Sequence, residues 1–180
     1  MKKLITWWRN LIDFQLDDVI KDGNDYFNNE LNCMIRKANA QDIRSILMVE
    51  RDVYLGELPW TYTDFFTEIS INRQAGFFVA TIEEEVVAFI GLRAQKNTLH
   101  ISNLAVKRQH QRMGIGQALI EMGKAIGKQL EISQLSLEVR FSNKDAQAFY
   151  RKLGFHSDKI LKGYYTELKE DGIEMIYQID

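Results

Sequence analysis

The run from Asn103 to Gly116, Asn-Leu-Ala-Val-Lys-Arg-Gln-His-Gln-Arg-Met-Gly-Ile-Gly, limits what this chain can become more than any other stretch. Leu99, Ile101, Asn103 and Ala105 alternate with His100, Ser102, Leu104 and Val106, which predicts a strand covered on both faces. Beyond it Ile115, Leu119, Met122, Ile126 and Leu130 recur at steps of three and four, so a helix lays one apolar stripe on the sheet. Gln111, Arg112, Met113, Gly114, Ile115, Gly116 and Gln117 form the joint. Two glycines strip the first helical turn of bulk. Its unpaired N–H groups and the positive end of the helix dipole can then close on an anion. Lys107, Arg108 and Arg112 add positive charge beside it. The joint reads as a phosphate-holding turn, with a helix whose glycines only permit tight packing as the plainer rival.

The kind of phosphate site can be narrowed. No Gly-x-x-x-x-Gly-Lys-Ser/Thr run exists, which removes a P-loop, and Leu119 stands where a dinucleotide fingerprint needs a third small residue. The 180 residues, 46% hydrophobic, suit one globular domain with a substantial core. A net charge of −2 gives no basic field for nucleic acid or an anionic membrane. The single cysteine, Cys33, allows no internal disulfide and no thiolate metal cluster, and it suits a reducing, cytoplasmic compartment. His100, His110 and His156 share no ligand spacing, so no metal is expected.

Two units are expected: an N-terminal helical extension over 1–32 and a main domain over 33–180. Lys2 and Lys3 before Leu4, Ile5, Trp7 and Trp8 hint at a signal peptide, but Arg9, Asn10 and Asp13 break the apolar run. Ile5, Trp8, Ile12, Leu16 and Val19 instead predict an amphipathic helix over Leu4–Ile20, stopped by Asp22-Gly23-Asn24-Asp25. Its acidic polar face favours packing on its own domain over a partner or membrane role. From Met34 the pattern reads strand; helix capped by Asn39; loop 56–62; helix from Thr63; hairpin over 77–93; the Leu99 strand; the Gly114 helix; a strand over 135–139; a helix capped at Ser142-Asn143; and strands over 160–165 and 173–179. That series makes a mixed α/β sheet of about seven strands with helices on both faces.

The order and the motifs resemble the GCN5-related N-acetyltransferases (GNAT) over roughly residues 34 to 179. The Arg/Gln-x-x-Gly-x-Gly/Ala run at Gln111–Gly116 is similar to that family's pyrophosphate loop for acetyl-CoA. Asn103–Val106, Leu137–Val139, Ser142-Asn143 with Ala146 and Tyr150, and Leu153–Phe155 follow in the family's sequence and spacing. Leu58-Pro59-Trp60, Leu137–Asn143, Gly163-Tyr164-Tyr165 and Glu170-Asp171 resemble the branch that acetylates ribosomal-protein alanine N-termini, the RimI branch. Gly163, where that branch often carries Asn, and the N-terminal helix are departures.

The resemblance implies transfer of acetyl from acetyl-CoA to the α-amine of a ribosomal protein beginning with alanine. It implies Glu138 as the base that deprotonates the amine and Tyr150 as the acid that protonates the departing thiolate. Leu104, Ala105, Val106, the residues Gln111–Gln117, Asn143 and Tyr150 would hold the cosubstrate, and Pro59, Trp60, Tyr164 and Tyr165 the acceptor. Plainer readings stand beside these. Glu138 could be a solvated residue paired with Arg140, Tyr150 ordinary core, Asn143 only a cap, and Glu50 either a boundary residue or a second base. A lysine or small-molecule amine as acceptor, or a non-catalytic CoA-binding adaptor, are the alternative functions. The oligomeric state is left open.

Overall fold

The computed structural model describes residues 32–54 and 59–179, together with the backbone of 26–28. The expected helix Leu4–Ile20, the turn at 22–25 and Leu58 lie outside the described residues. The elements are β1 (Tyr26–Asn28), β2 (Cys33–Lys37), α1 (Ile43–Val53), α2 (Tyr62–Ser70), β3 (Ala75–Ile82), β4 (Glu85–Gln95), β5 (Thr98–Val106), α3 (Ile115–Gln129), β6 (Gln134–Arg140), α4 (Lys144–Lys152), β7 (His156–Tyr165) and β8 (Glu170–Gln178). One sheet of eight strands runs β1-β2-β3-β4-β5-β6-β8-β7. Seven of these strands are the expected ones. The eighth, the three-residue β1, joins the sheet edge by pairing with β2, a contribution of the N-terminal segment that the pattern did not reveal. Among the described residues no helix is long and apolar enough to cross a membrane.

Local chemistry sets the helix starts. Asn39 caps not α1 itself but the 3-10 turn Ala40–Asp42 that leads into it: Asn39 accepts from the Gln41 N–H at 2.8 Å, while Asp42 accepts from the Asn39 N–H at 2.9 Å. Asp42 also pairs with Arg36 at 2.7 Å. Thr61, two residues before the expected start, caps α2 in a reciprocal box with Asp64. Asn143 caps α4 through Ala146 N–H at 3.1 Å, as expected.

The sheet separates two apolar clusters. α1 and α2 cover one face, where Ile43, Ile46, Val49 and Phe65 meet Phe77, Val79 and Phe89. α3 and α4 cover the other, where Ile115, Leu119 and Ile126 meet Leu92, Leu99, Ile101, Leu135, Leu137 and Val139. Helices therefore lie on both faces, as the element series predicts.

Two features of β5 shape the molecule. Gly91 pairs with Asn103 and Leu92 with Ile101, so Ser102 is an extra residue without a partner on β4. This bulge resets the alternation expected from the sequence. Leu99 and Ile101 face the α3 side, but past Ser102 it is Leu104 and Val106 that pack there, while Ala105 turns to the α1 side beside Phe89. Gly91 is required at this point, because a Cβ there would lie 2.6 Å from the Phe77 ring and 2.7 Å from Ser102 Oγ. The second feature is a split. β5 and β6, the only parallel neighbours among the described residues, pair over Thr98–His100 against Gln134–Ser136 and no further. β5 stays on β4 and β6 on β8, so a wedge opens between them toward Val106 and Arg140.

Candidate active site

The start of α3 stands at the mouth of this wedge. Gly114, its N-cap, has φ 91°, a left-handed conformation that favours glycine, and no side chain caps the helix. The N–H groups of the first turn are therefore left for another acceptor. Gln111 ties the loop down by donating from Nε2 to the Val106 carbonyl at 3.0 Å. A Cβ on Gly116 would rest 3.4 Å from the Phe149 ring and 3.6 Å from Val106, so this position has room for a methyl and little more. Ile115 is buried in the core, whereas Gln111, Arg112, Met113, Gly114 and Gln117 are exposed. An uncapped helix start with a left-handed glycine beside an open strand edge fits a pyrophosphate group.

Two cations assigned to the phosphate by sequence are engaged elsewhere. Lys107 pairs with Glu85, and Arg108 binds Asp52 through its backbone N–H at 2.7 Å and its guanidinium at 3.3 Å. These pairs fasten the loop to β4 and to α1. Arg112, at φ 62°, is exposed.

On the α1 side of the sheet, the β5 and β6 side chains floor an open, polar groove of about 870 Å³. Trp60, Arg93, His100, Glu138, Tyr164 and Glu174 are among its lining residues. Glu138 points here because Leu137 and Val139 point into the α3 cluster. Its side chain is 17% exposed, and its partner is not Arg140: the carboxylate lies 3.3 Å from His100 Nε2, and burial together with this carboxylate raises the Tyr164 hydroxyl above the usual phenol range. Ser136 Oγ lies 3.0 Å from His100 Nδ1. Burial lowers the His100 pKa more than Glu138 raises it, which favours a neutral ring. Glu174, the cross-strand partner of Glu138, is paired with Lys159 at 2.5 Å.

A second group gathers tyrosines. Tyr150, on α4, packs against Phe149 and Phe155 at ring separations of 5.2 and 5.7 Å. Burial, then the neighbouring Tyr54 and Tyr165, push its hydroxyl well above the usual phenol range, so it holds its proton at neutral pH. Tyr165 is pushed up to about 12 by burial, with Tyr164 and Glu138 contributing, and it feels Tyr54 too. It thus touches both groups electrostatically, and Arg140 lies over its ring at 5.8 Å. Asn143 is seen as the α4 cap.

Of the expected acceptor residues, Trp60 and Tyr164 line the groove with Glu138, Tyr165 sits between the two groups, and Pro59 is exposed and off the lining. Sequence reasoning did not select His100, Tyr54 or Glu174 as site residues. His100 meets Ser136 through a pairing 36 residues apart, and no local signal carries that register.

Residues 40–155 match the Acetyltransferase (GNAT) family. An N-alpha-acetyltransferase of Sulfurisphaera tokodaii is 35% identical over 146 residues, covering 74% of this chain and 86% of that protein. A ribosomal protein bS18 alanine N-acetyltransferase of Escherichia coli (strain K12) is 35% identical over 104 residues, covering 57% of this chain and 70% of that protein. The crystal structure of the ribosomal-protein-S18-alanine N-acetyltransferase from Escherichia coli superposes with a TM-score of 0.74 at 28% identity, covering 82% of this chain and 94% of that one. The split strand pair, the uncapped glycine turn that closes it and these matches agree, and the chain belongs to the GNAT acetyltransferase family.

Proposed function

We propose that this acetyltransferase moves an acetyl group from acetyl-CoA to the N-terminal α-amine of a protein, with a ribosomal protein beginning with alanine as the acceptor. The observation that carries the reading is the groove lined by Glu138, His100 and Tyr164, with Glu138 3.3 Å from His100 Nε2, beside the wedge between β5 and β6. Relatives whose names specify N-alpha or ribosomal alanine acetylation support the choice of acceptor. So does the open groove between Trp60 and Tyr164, which has room for a polypeptide end.

Acetyl-CoA supplies an acyl group activated as a thioester. The exposed turn at Gln111, Arg112, Met113 and Gly114, with the Ile115–Gln117 helix start, holds its pyrophosphate. Leu104, Ala105 and Val106 offer the strand edge that β6 leaves, and Asn143 and Tyr150 flank the wedge from α4. An α-ammonium has a reference pKa of about 7.7–8.0 and must lose a proton before it attacks. Glu138 takes that proton, directly or through a water, with its carboxylate beside the His100 imidazole. Tyr150 keeps its own proton at neutral pH and gives it to the departing sulfur.

Intact-mass analysis tests the reading, with acetyl-CoA and peptides carrying free or blocked N-termini. One acetyl group on the free alanine peptide, and none on the blocked one with its lysines intact, is expected. Acetylation of lysine alone moves the acceptor to a side-chain amine, and no transfer to any amine despite CoA binding makes the protein an adaptor.

A further inference from the structure

We propose that Glu50 is a positioning residue for the acceptor, acting by tethering Trp60 to the end of α1 so that the indole stands as a fixed wall of the groove. The proposal rests on the acceptor-groove reading above. Glu50 lies on α1 and is 1% exposed among the apolar residues Ile46 and Val49. A carboxyl in such a place costs stability unless a donor meets it. The donor is the Trp60 backbone N–H, 3.4 Å from Oε2 and ten residues along the chain. Glu50 thus closes the connection between α1 and α2 at its far end. Its own carbonyl meanwhile receives the Tyr54 N–H at 2.9 Å at the C-terminal end of α1. Asp64 of α2 and Tyr54 are the titratable groups that act electrostatically with it. Burial pushes the Glu50 carboxyl up to about 7, the cost of holding this group inside.

What the tether holds is half core and half site. The Trp60 ring packs on Phe65 at 5.2 Å and on Phe77 at 6.0 Å, and it also lines the groove that contains Glu138. Glu50 itself does not line that groove. It therefore acts through Trp60 and not on the reacting atoms, which separates it from Glu138. The expected signature is weaker acceptor binding with unchanged chemistry.

Steady-state kinetics on Glu50→Met, Glu50→Gln, Trp60→Ala and the double variant Glu50→Met/Trp60→Ala test this, using whichever amine the parent acetylates. Glu50→Met should raise the acceptor KM roughly ten-fold, the usual worth of a hydrogen bond to a charged group, with kcat and the acetyl-CoA KM within about two-fold. Glu50→Gln keeps an oxygen that accepts from Trp60 and should restore most of the loss. Trp60→Ala should raise the acceptor KM at least as much as Glu50→Met, and the double variant should be no worse than Trp60→Ala, because the tether acts only through the indole. Hydrogen exchange at the Trp60 amide, faster in Glu50→Met than in Glu50→Gln, reads the tether with no acceptor present. It therefore stands even if the α-amine assignment fails. A parent-like acceptor KM in Glu50→Met or Trp60→Ala, additive losses, or unchanged amide exchange would overturn the proposal. An equal loss of kcat in Glu50→Met and Glu50→Gln would also overturn it, making Glu50 a base.

Discussion

His100 Nε2 lies 3.3 Å from a carboxylate oxygen of Glu138, joining β5 to β6 at the last point where the two strands pair. Beyond that contact the strands separate, so Glu138, the proposed base, stands at the apex of the wedge beside the His100 imidazole. Glu138→Gln should lower kcat by about 10²–10⁴-fold, and the deficit should shrink as pH rises and the amine arrives deprotonated. His100→Gln should cost less, because it removes an orienting contact. A pH–rate profile of parent and both variants checks this, and a parent-like rate for Glu138→Gln at neutral pH would hand the role to another base.

Tyr150 should behave differently. If its hydroxyl protonates the departing sulfur, Tyr150→Phe slows transfer at every pH, because a neutral attacking amine does not help the thiol leave. Acetyl-CoA affinity should stay near the parent value. Relief of the Tyr150→Phe defect at high pH would sink this assignment.

Gly114 holds a φ of 91°, which a β-branched residue adopts only with strain. Gly114→Val should re-aim the turn and weaken acetyl-CoA binding. It should also shrink the rise in melting temperature that the cosubstrate gives the parent. Calorimetry showing equal CoA affinity in both proteins would remove the phosphate site from this turn.

Glu50 predicts a stability trend with pH. Its carboxyl is raised from 4.5 to about 7 in the folded protein. The folded state therefore keeps a proton that the unfolded state releases at lower pH. The stabilisation from that proton is fully present below about 4.5 and is lost as pH rises through about 7, on the order of 3 kcal/mol at most. Glu50→Gln removes the titration, so its melting temperature should gain on the parent from pH 5 to pH 8. A gap that stays constant over that range would contradict the shift.

The chain's own residues determined a great deal. Apolar spacing set the order of strands and helices, because the periods of 2 and 3.6 are local properties of the backbone. The caps at Asn39 and Asn143 were legible because capping acts within three residues. So was the glycine turn at Gln111–Gly116, since the conformational freedom of glycine belongs to the residue itself.

Only the tertiary structure decided the rest. The bulge at Ser102 lies against Gly91, where the Phe77 ring and Ser102 Oγ leave no room for a side chain, and it moves Ala105 to the opposite face from Leu99. Lys107 and Arg108 look like phosphate ligands until Glu85 and Asp52 are brought beside them. His100 becomes a site residue through a register with Ser136 that no stretch of sequence encodes locally. Alternation and capping are written in neighbouring residues, whereas pairing, splay and burial are settled where distant segments compete for the same space.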